Sequence, residues 1–242
     1  RNKRFYRRRG KKGMGTNFRI GTRSSPLALK QVEEVLKVLR IHHPEIEAEK
    51  VKIDTYGDRD KATPISEIEG DDFFTRELDD ALLRGKIDFA VHSAKDLPDN
   101  PKENLTIAAI TKSIDPYDVL VSKDGLSLRN LRYGARIGTS SIRRKDALRR
   151  FRSDFTILDI RGNIEERLRL LDCDKSLDLD AIVIAAAGLL RLGLAKRITE
   201  KISFAILIPH PLQGRLAVLT RKEDKELIEF LSVLDSRKEQ LI

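Results

Sequence analysis

FFTRELDDALLRGKIDFAVHSAKDLP, residues 73–98, decides the fold class. Phe74 to Leu83 spaces its apolar positions as a helix does, Ile87 to Val91 is a short buried strand, and a polar run, His92 to Asp96, follows at that strand's carboxyl end. The same rhythm extends both ways. Upstream, Phe18–Ile20 reads as a strand, Pro26–Arg40 as an amphipathic helix with Leu29, Val32, Val35, Leu36 and Leu39 on one face, and Lys50–Tyr56 as a half-buried strand. Downstream, a second set of strands is expected at Val119–Val121, Arg136–Gly138, Phe155–Ile160 and Ala181–Ala185, with helices at about 141–151, 163–172 and 187–192. Residues 101–117, with Pro101 and Pro116, read as an extended connection, and Leu216–Leu219 as a strand returning to the first set before a helix at about 223–234. Alternation of this kind predicts an α/β protein: two lobes of mixed, mostly parallel sheet flanked by helices, crossed twice by the chain, with a cleft between them. The boundaries expected are 17–112 plus 213–242 for the first lobe and 113–212 for the second, after a basic disordered arm at 1–16. No internal repeat is evident.

The 242 residues are 40% hydrophobic, enough for real cores, and carry 47 Lys+Arg against 38 Asp+Glu. The excess sits at the start: RNKRFYRRRGKKG, residues 1–13, holds eight basic residues and no acid, leaving 39 positives against 38 negatives in a nearly neutral body. That arm would suit a nucleic-acid or anionic-surface tether, but a leader or upstream read-through before Met14 accounts for it as well. No membrane-spanning run and no signal segment is seen, so a cytoplasmic protein without membrane association is expected. A lone cysteine, Cys173, can form neither an internal disulfide nor an all-cysteine metal site, and no metal is expected.

Unusual polar residues collect just after predicted strands, where open parallel sheets form their ligand crevices. Four loops qualify: Thr22–Ser25, His92–Asp96, Thr139–Arg144 and Arg161–Asn163. In the third, Thr139, Ser140 and Ser141 are good capping residues, yet Arg143 and Arg144 place two cations at the positive end of a helix dipole. An anion bound there would make sense of them; pairing with Asp146 or Asp154, or exposure to solvent, is the plainer alternative. Arg161 and Arg167 repeat the theme, and residues 136–169 hold nine Arg and one Lys against five acids, a density suited to a ligand with several carboxylates or phosphates. Asp96, beside Lys95 and before Pro98, sits in a stiff turn and could exchange protons with a substrate nitrogen, although a turn-forming role is the commoner one for such an Asp. His92 reads as a structural hydrogen-bonder. No Walker loop, dinucleotide glycine pattern or Ser-His-Asp arrangement is present.

Seven ordered segments together resemble the porphobilinogen deaminase (hydroxymethylbilane synthase) family: RIGTRSSPLALKQ (19–31), residues 73–98 quoted above, DPYDVLVS (115–122), GTSSIRR (138–144), DIRGNIEERL (159–168), DAIVIAAAGLLRLGL (180–194) and PLQGRLAV (211–218). The resemblance spans about 17–235 and implies a periplasmic-binding-protein-like fold. It also implies a transferase that condenses four porphobilinogen units head to tail, releasing ammonia each time, to a linear tetrapyrrole in haem biosynthesis. By motif position, Asp96 would be the acid/base. Arg23, Arg143, Arg144, Arg161, Arg167 and Arg191 would bind carboxylates of porphobilinogen, of oligopyrrole intermediates and of a dipyrromethane cofactor. Ser25, Ser93, Lys95, Thr139, Ser140, Ser141 and Gln213 would add hydrogen bonds. The family normally has a third domain bearing the cysteine that attaches dipyrromethane; this domain is expected to be absent, or supplied as a separately encoded partner, and Cys173 does not match its position. Glu67 and Asp71 stand where the family usually has lysines, and Tyr56 and Tyr117 where arginine is common. The resemblance leaves two alternatives to the enzyme: a two-lobed carboxylate- or pyrrole-binding protein without turnover, and, through the basic arm, the less favoured nucleic-acid-associated protein.

Overall fold

A computed structural model describes residues 17–59 and 72–237. The basic arm at 1–16, with Glu67 and Asp71, lies outside these residues. Among the described residues, two five-stranded sheets account for the strands. The first comprises β1 (Asn17–Thr22), β2 (Glu47–Lys52), β3 (Phe89–Ser93), β4 (Leu105–Ile110) and β10 (Leu216–Arg221), in the order β2-β1-β3-β10-β4. The second comprises β5 (Asp118–Ser122), β6 (Arg136–Gly138), β7 (Thr156–Leu158), β8 (Ala181–Ala185) and β9 (Glu200–Lys201), in the order β7-β6-β8-β5-β9. In each sheet one strand, β10 or β5, runs against the other four, so the sheets are mixed with one prevailing direction.

Both reversed strands arrive by crossing from the other sheet. The chain passes from β4 to β5 and returns from β9 to β10, and the two sheets share one topology, with β1, β2, β3, β10 and β4 matching β6, β7, β8, β5 and β9. The sequence hints at this only in two Gly-Thr-containing strand ends, Gly21-Thr22-Arg23-Ser24-Ser25 and Gly138-Thr139-Ser140-Ser141. Both glycines are needed for close packing: a Cβ on Gly21 would lie 2.2 Å from Ile87 Cδ1, and one on Gly138 would lie 3.0 Å from two atoms of Ile160.

Helices cover both faces of each sheet. On the first, α1 (Pro26–His42) starts with proline in its first turn and Ser25 as its cap, and buries Val32, Val35, Leu36 and Leu39 against Phe18, Ile20, Phe89 and Val218. The opposite face takes Leu78 and Leu82 of α3 (Arg76–Leu83) against Ile87, Leu105 and Leu219. On the second sheet, Ala147 and Leu148 of α4 (Ile142–Phe151) cover Leu120, Ile137 and Val183. There, Leu168 and Leu171 of α5 (Ile164–Cys173) and Leu189 of α6 (Ala186–Arg191) cover Val119, Ile160, Ile182 and Ile184. Burial on both faces explains why the strands read as continuous apolar runs.

Two expectations are corrected. Residues 101–117 are not wholly a connection, because Leu105–Ile110 forms edge strand β4, paired antiparallel with β10. Lys50–Tyr56 is not one strand: β2 ends at Lys52, and Tyr56 opens a single helical turn, α2 (Tyr56–Arg59). Asp58 causes that turn by accepting from the Thr55 N–H (3.1 Å) and hydroxyl (2.8 Å), a local bond that competes with strand pairing. The final helix, α7 (Lys225–Leu231), runs into a short 3₁₀ turn, Ser232–Leu234.

Candidate active site

A cavity of about 810 Å³ lies where the strand ends of the two sheets face each other. The first sheet contributes Arg23, Ser25, Ser93, Lys95 and Asp96; the second contributes Ser140, Ser141, Arg143, Arg144, Arg161, Arg167 and Arg191. Thr139 and Gln213 of the expected set do not line it. Thr139 is fully buried and its hydroxyl accepts from the Ser141 N–H at 3.3 Å, shaping the loop from beneath. Gln213 is also buried and joins Lys95 (3.3 Å), the Pro116 carbonyl (2.8 Å) and Asp118 (3.0 Å).

Serines set the walls. Ser25 caps α1 by accepting from the Ala28 N–H at 3.3 Å, and Ser141 caps α4 by accepting from the Arg144 N–H at 3.5 Å. Ser140 donates to the Ile160 carbonyl at 2.6 Å and accepts from the Ile160 N–H at 3.1 Å, lashing one rim loop to the next. Ser93 accepts from Gln31 of α1 at 2.8 Å.

The arginines divide into two groups. Arg23 is clamped by Asp58 (Nε at 3.0 Å) and lies over the Phe74 ring at 4.3 Å. Arg143 and Arg144 turn from the pairs considered in the sequence and converge on Asp118, at 2.9 and 2.6 Å; Arg144 also donates to the Val183 carbonyl at 3.2 Å. Asp146 and Asp154 instead face Arg149 and Arg152. Arg191 pairs with Glu34 of α1 at 2.7 and 3.0 Å and donates to the Gly214 carbonyl at 2.9 Å, tying α6 of the second sheet to α1 of the first. These four cations are matched by protein anions.

Arg167 belongs to the other group. Its Nε donates to the Gly162 carbonyl at 2.8 Å, while burial, then Arg144 and Arg161, push its pKa down to about 10 against a weaker pull from Asp96 and Glu166. Lys95 is similar: burial and Arg144 lower it to about 8, with Asp96 and Asp118 opposing. Depressed cations packed beside other cations mark a place where an anion would be stabilised. Asp96 ends a 3₁₀ turn, Ala94–Asp96, at the cavity's exposed lip, and no described residue donates a hydrogen bond to its carboxylate.

Asp118 was missed in the sequence, although an aspartate heading a wholly apolar strand needs a cation, and that signal was there. Burial raises its pKa, but Arg144 and Arg143 more than reverse this and hold it below the usual carboxylate range. His210, which also lines the cavity, carried no motif signal. His92 is not the hydrogen-bonder expected: it is buried, its Nε2 has no partner among the described residues, and burial followed by the nearby Arg23 lowers its pKa to about 4. Cys173 does not line the cavity and is exposed at the end of α5.

Residues 18–229 match the family described as "Porphobilinogen deaminase, dipyromethane cofactor binding domain". Curated relatives include the porphobilinogen deaminases of Natranaerobius thermophilus, 44% identical over 218 residues (90% of this chain, 70% of the relative), and Xanthomonas axonopodis, 45% identical over 221 residues (91% and 72%). Among solved structures, a nutrient-binding protein from Burkholderia cenocepacia bound to methionine has a TM-score of 0.52 at 16% identity, covering 88% of this chain and 89% of its own. The VFT2 domain of Bordetella pertussis BvgS has a TM-score of 0.51 at 15% identity, covering 91% and 87%. These two share the periplasmic-binding-protein-like fold.

Proposed function

The chain belongs to the porphobilinogen deaminase family, the hydroxymethylbilane synthases of tetrapyrrole biosynthesis, and from that premise we propose how its own groups divide the work. Arg161, Arg167 and Lys95 receive carboxylates of porphobilinogen and of the growing pyrrole chain. Arg23, Arg143, Arg144 and Arg191, each held by an acid, shape the cleft and lend it positive potential at longer range. Asp96, exposed at the lip and bonded by no described residue, carries the proton transfers that let ammonia leave and steadies cationic pyrrole intermediates. The serine hydroxyls and the Thr139–Gln213 scaffold keep these groups in place. The observation that carries the reading is Arg167, half-buried on the cavity wall beside like charges and pushed down to about 10, an arrangement that an anionic ligand relieves.

A dipyrromethane cofactor would fit the same cationic wall, where Arg161 and Arg167 would hold its carboxylates and it would supply the primer to which the first unit is joined. The cleft itself holds no thiol among the described residues. A second reading is a two-lobed carboxylate- or pyrrole-binding protein without turnover, since a cleft and its cations suffice for binding. The lobe boundaries 17–112 with 213–242 and 113–212, and a cytoplasmic setting, belong to the same proposal; no helix among the described residues is long and apolar enough to cross a membrane.

Incubation with porphobilinogen, followed by oxidation and assay of uroporphyrin, tests turnover. Formation of product lost on Arg167→Ala supports the enzyme. Porphobilinogen binding without product even when a family cofactor domain is added selects the binding protein.

A further inference from the structure

We infer that His210 donates a hydrogen bond through its Nε2–H to a carboxylate of the pyrrole in the cleft and so helps to fix the substrate's position. This rests on the reading that the cleft takes porphobilinogen. His210 lies in the return crossing between β9 and β10, half-buried, with its side chain among the cavity-lining groups. Three features hold it still. It stands between Pro209 and Pro211, which restrict the backbone on both sides. Its carbonyl accepts from the Gln213 N–H at 2.8 Å. Two residues earlier, the Ile208 carbonyl accepts from Arg143, pinning the segment to the guanidinium that also holds Asp118.

The ring's chemistry follows from one further bond: Nδ1 accepts the Leu212 N–H at 3.1 Å. A neutral imidazole with Nδ1 as acceptor carries its proton on Nε2. The remaining nitrogen of the ring is therefore a donor, and none is left to act as a base. The charged groups around it are Lys95, Arg143, Asp96 and Asp99, and burial together with Lys95 and Arg143 lowers its pKa, keeping the imidazole neutral. A fixed N–H beside Lys95 and Arg143 is complementary to a carboxylate oxygen. Such a donor discriminates by direction, since the ring cannot swing to follow a misplaced ligand.

Two substitutions separate this role from a structural one. In His210→Asn the side-chain oxygen can replace Nδ1 toward Leu212, but nothing reaches the Nε2 position. In His210→Gln the amide N–H reaches the Nε2 position, but the turn loses its acceptor. With porphobilinogen as probe and calorimetry on the full chain, H210N is expected to keep its melting temperature and weaken binding roughly 5- to 10-fold. H210Q is expected to melt lower yet bind within about twofold of the unsubstituted chain. Unaltered affinity in H210N, or a loss in H210Q matching that in H210N, overturns the inference. If the unsubstituted chain binds no porphobilinogen, the functional reading falls with it.

Discussion

Arg144 donates from both Nε (3.0 Å) and Nη2 (2.6 Å) to a single oxygen of Asp118, leaving the other oxygen for Arg143 at 2.9 Å. Asp118 has no exposed side-chain surface and Arg144 almost none, so neither charge has water to fall back on. Asp118→Ala therefore strands a buried guanidinium at a cost of about 3–5 kcal/mol. The melting temperature is expected to drop by roughly 10 °C. Loss of less than about 3 °C in differential scanning calorimetry would contradict this account of the pair.

Asp96 makes the contrasting prediction. Because no described residue bonds its carboxylate, Asp96→Asn is expected to leave the melting temperature unchanged, porphobilinogen binding nearly so, and to lower turnover by about 10²- to 10⁴-fold. A single-turnover assay for ammonia release measures this directly. Unchanged turnover would remove Asp96 from the chemistry.

The bridge between Arg191 and Glu34 links the sheets through one ion pair whose arginine is only 5% exposed. Glu34→Gln keeps a hydrogen-bond partner but not the charge. We expect a modest loss of stability, about 1–3 kcal/mol, and easier separation of the helices α1 and α6, read as faster hydrogen exchange there. Equal exchange in both proteins would show that the bridge carries no load.

Lys95, pushed down to about 8, gives a pH dependence in binding. Below pH 8 the ammonium is present and a carboxylate ligand is attracted; above it the amine is neutral and the attraction is lost. Porphobilinogen affinity is therefore expected to be level up to about pH 7.5 and then to fall by up to tenfold per pH unit, while Lys95→Arg stays level to pH 9.5.

Two buried groups away from the substrate act on stability in opposite directions. His92, lowered to about 4, contributes stability that is present above its unfolded value near 6.5 and lost as pH falls toward 4. Asp79, raised to about 6 by burial with Asp72 and Asp80 adding against Lys102, contributes stability present below about 4 and lost as pH rises through 6. The two slopes oppose each other between pH 4 and 6. Asp79→Asn should thus be more stable than the unsubstituted chain at pH 7.5, and that advantage should vanish by pH 4. Thermal melts across this range check both signs.

The α/β class, most strands and the cationic character of the cleft were legible because each rests on local pattern. Runs such as Ala181–Ala185 are apolar on both faces, and residues such as Ser25 and Ser141 announce helix starts with their own side chains. Edge strand β4 escaped because Pro101 and Pro116 frame its segment like a linker, and its partner β10 lies more than 100 residues away. The matching topology of the two sheets escaped too, since a shared strand order constrains polarity and burial far more than it constrains residue identity.

By itself, then, the sequence determined that Arg23, Arg143, Arg144, Arg161 and Asp96 stand in loops or helix starts just after strands, because such loops follow from short-range periodicity, while Arg191 came only from the family resemblance. Only the tertiary structure decided which of those charges are already answered: Arg23 by Asp58, Arg143 and Arg144 by Asp118, Arg191 by Glu34. In every case the partners come from different elements: Asp58 from the turn at Thr55, Asp118 from β5, Glu34 from α1. Coulombic pairing depends on distance and burial in the folded chain, quantities that spacing along the sequence does not encode.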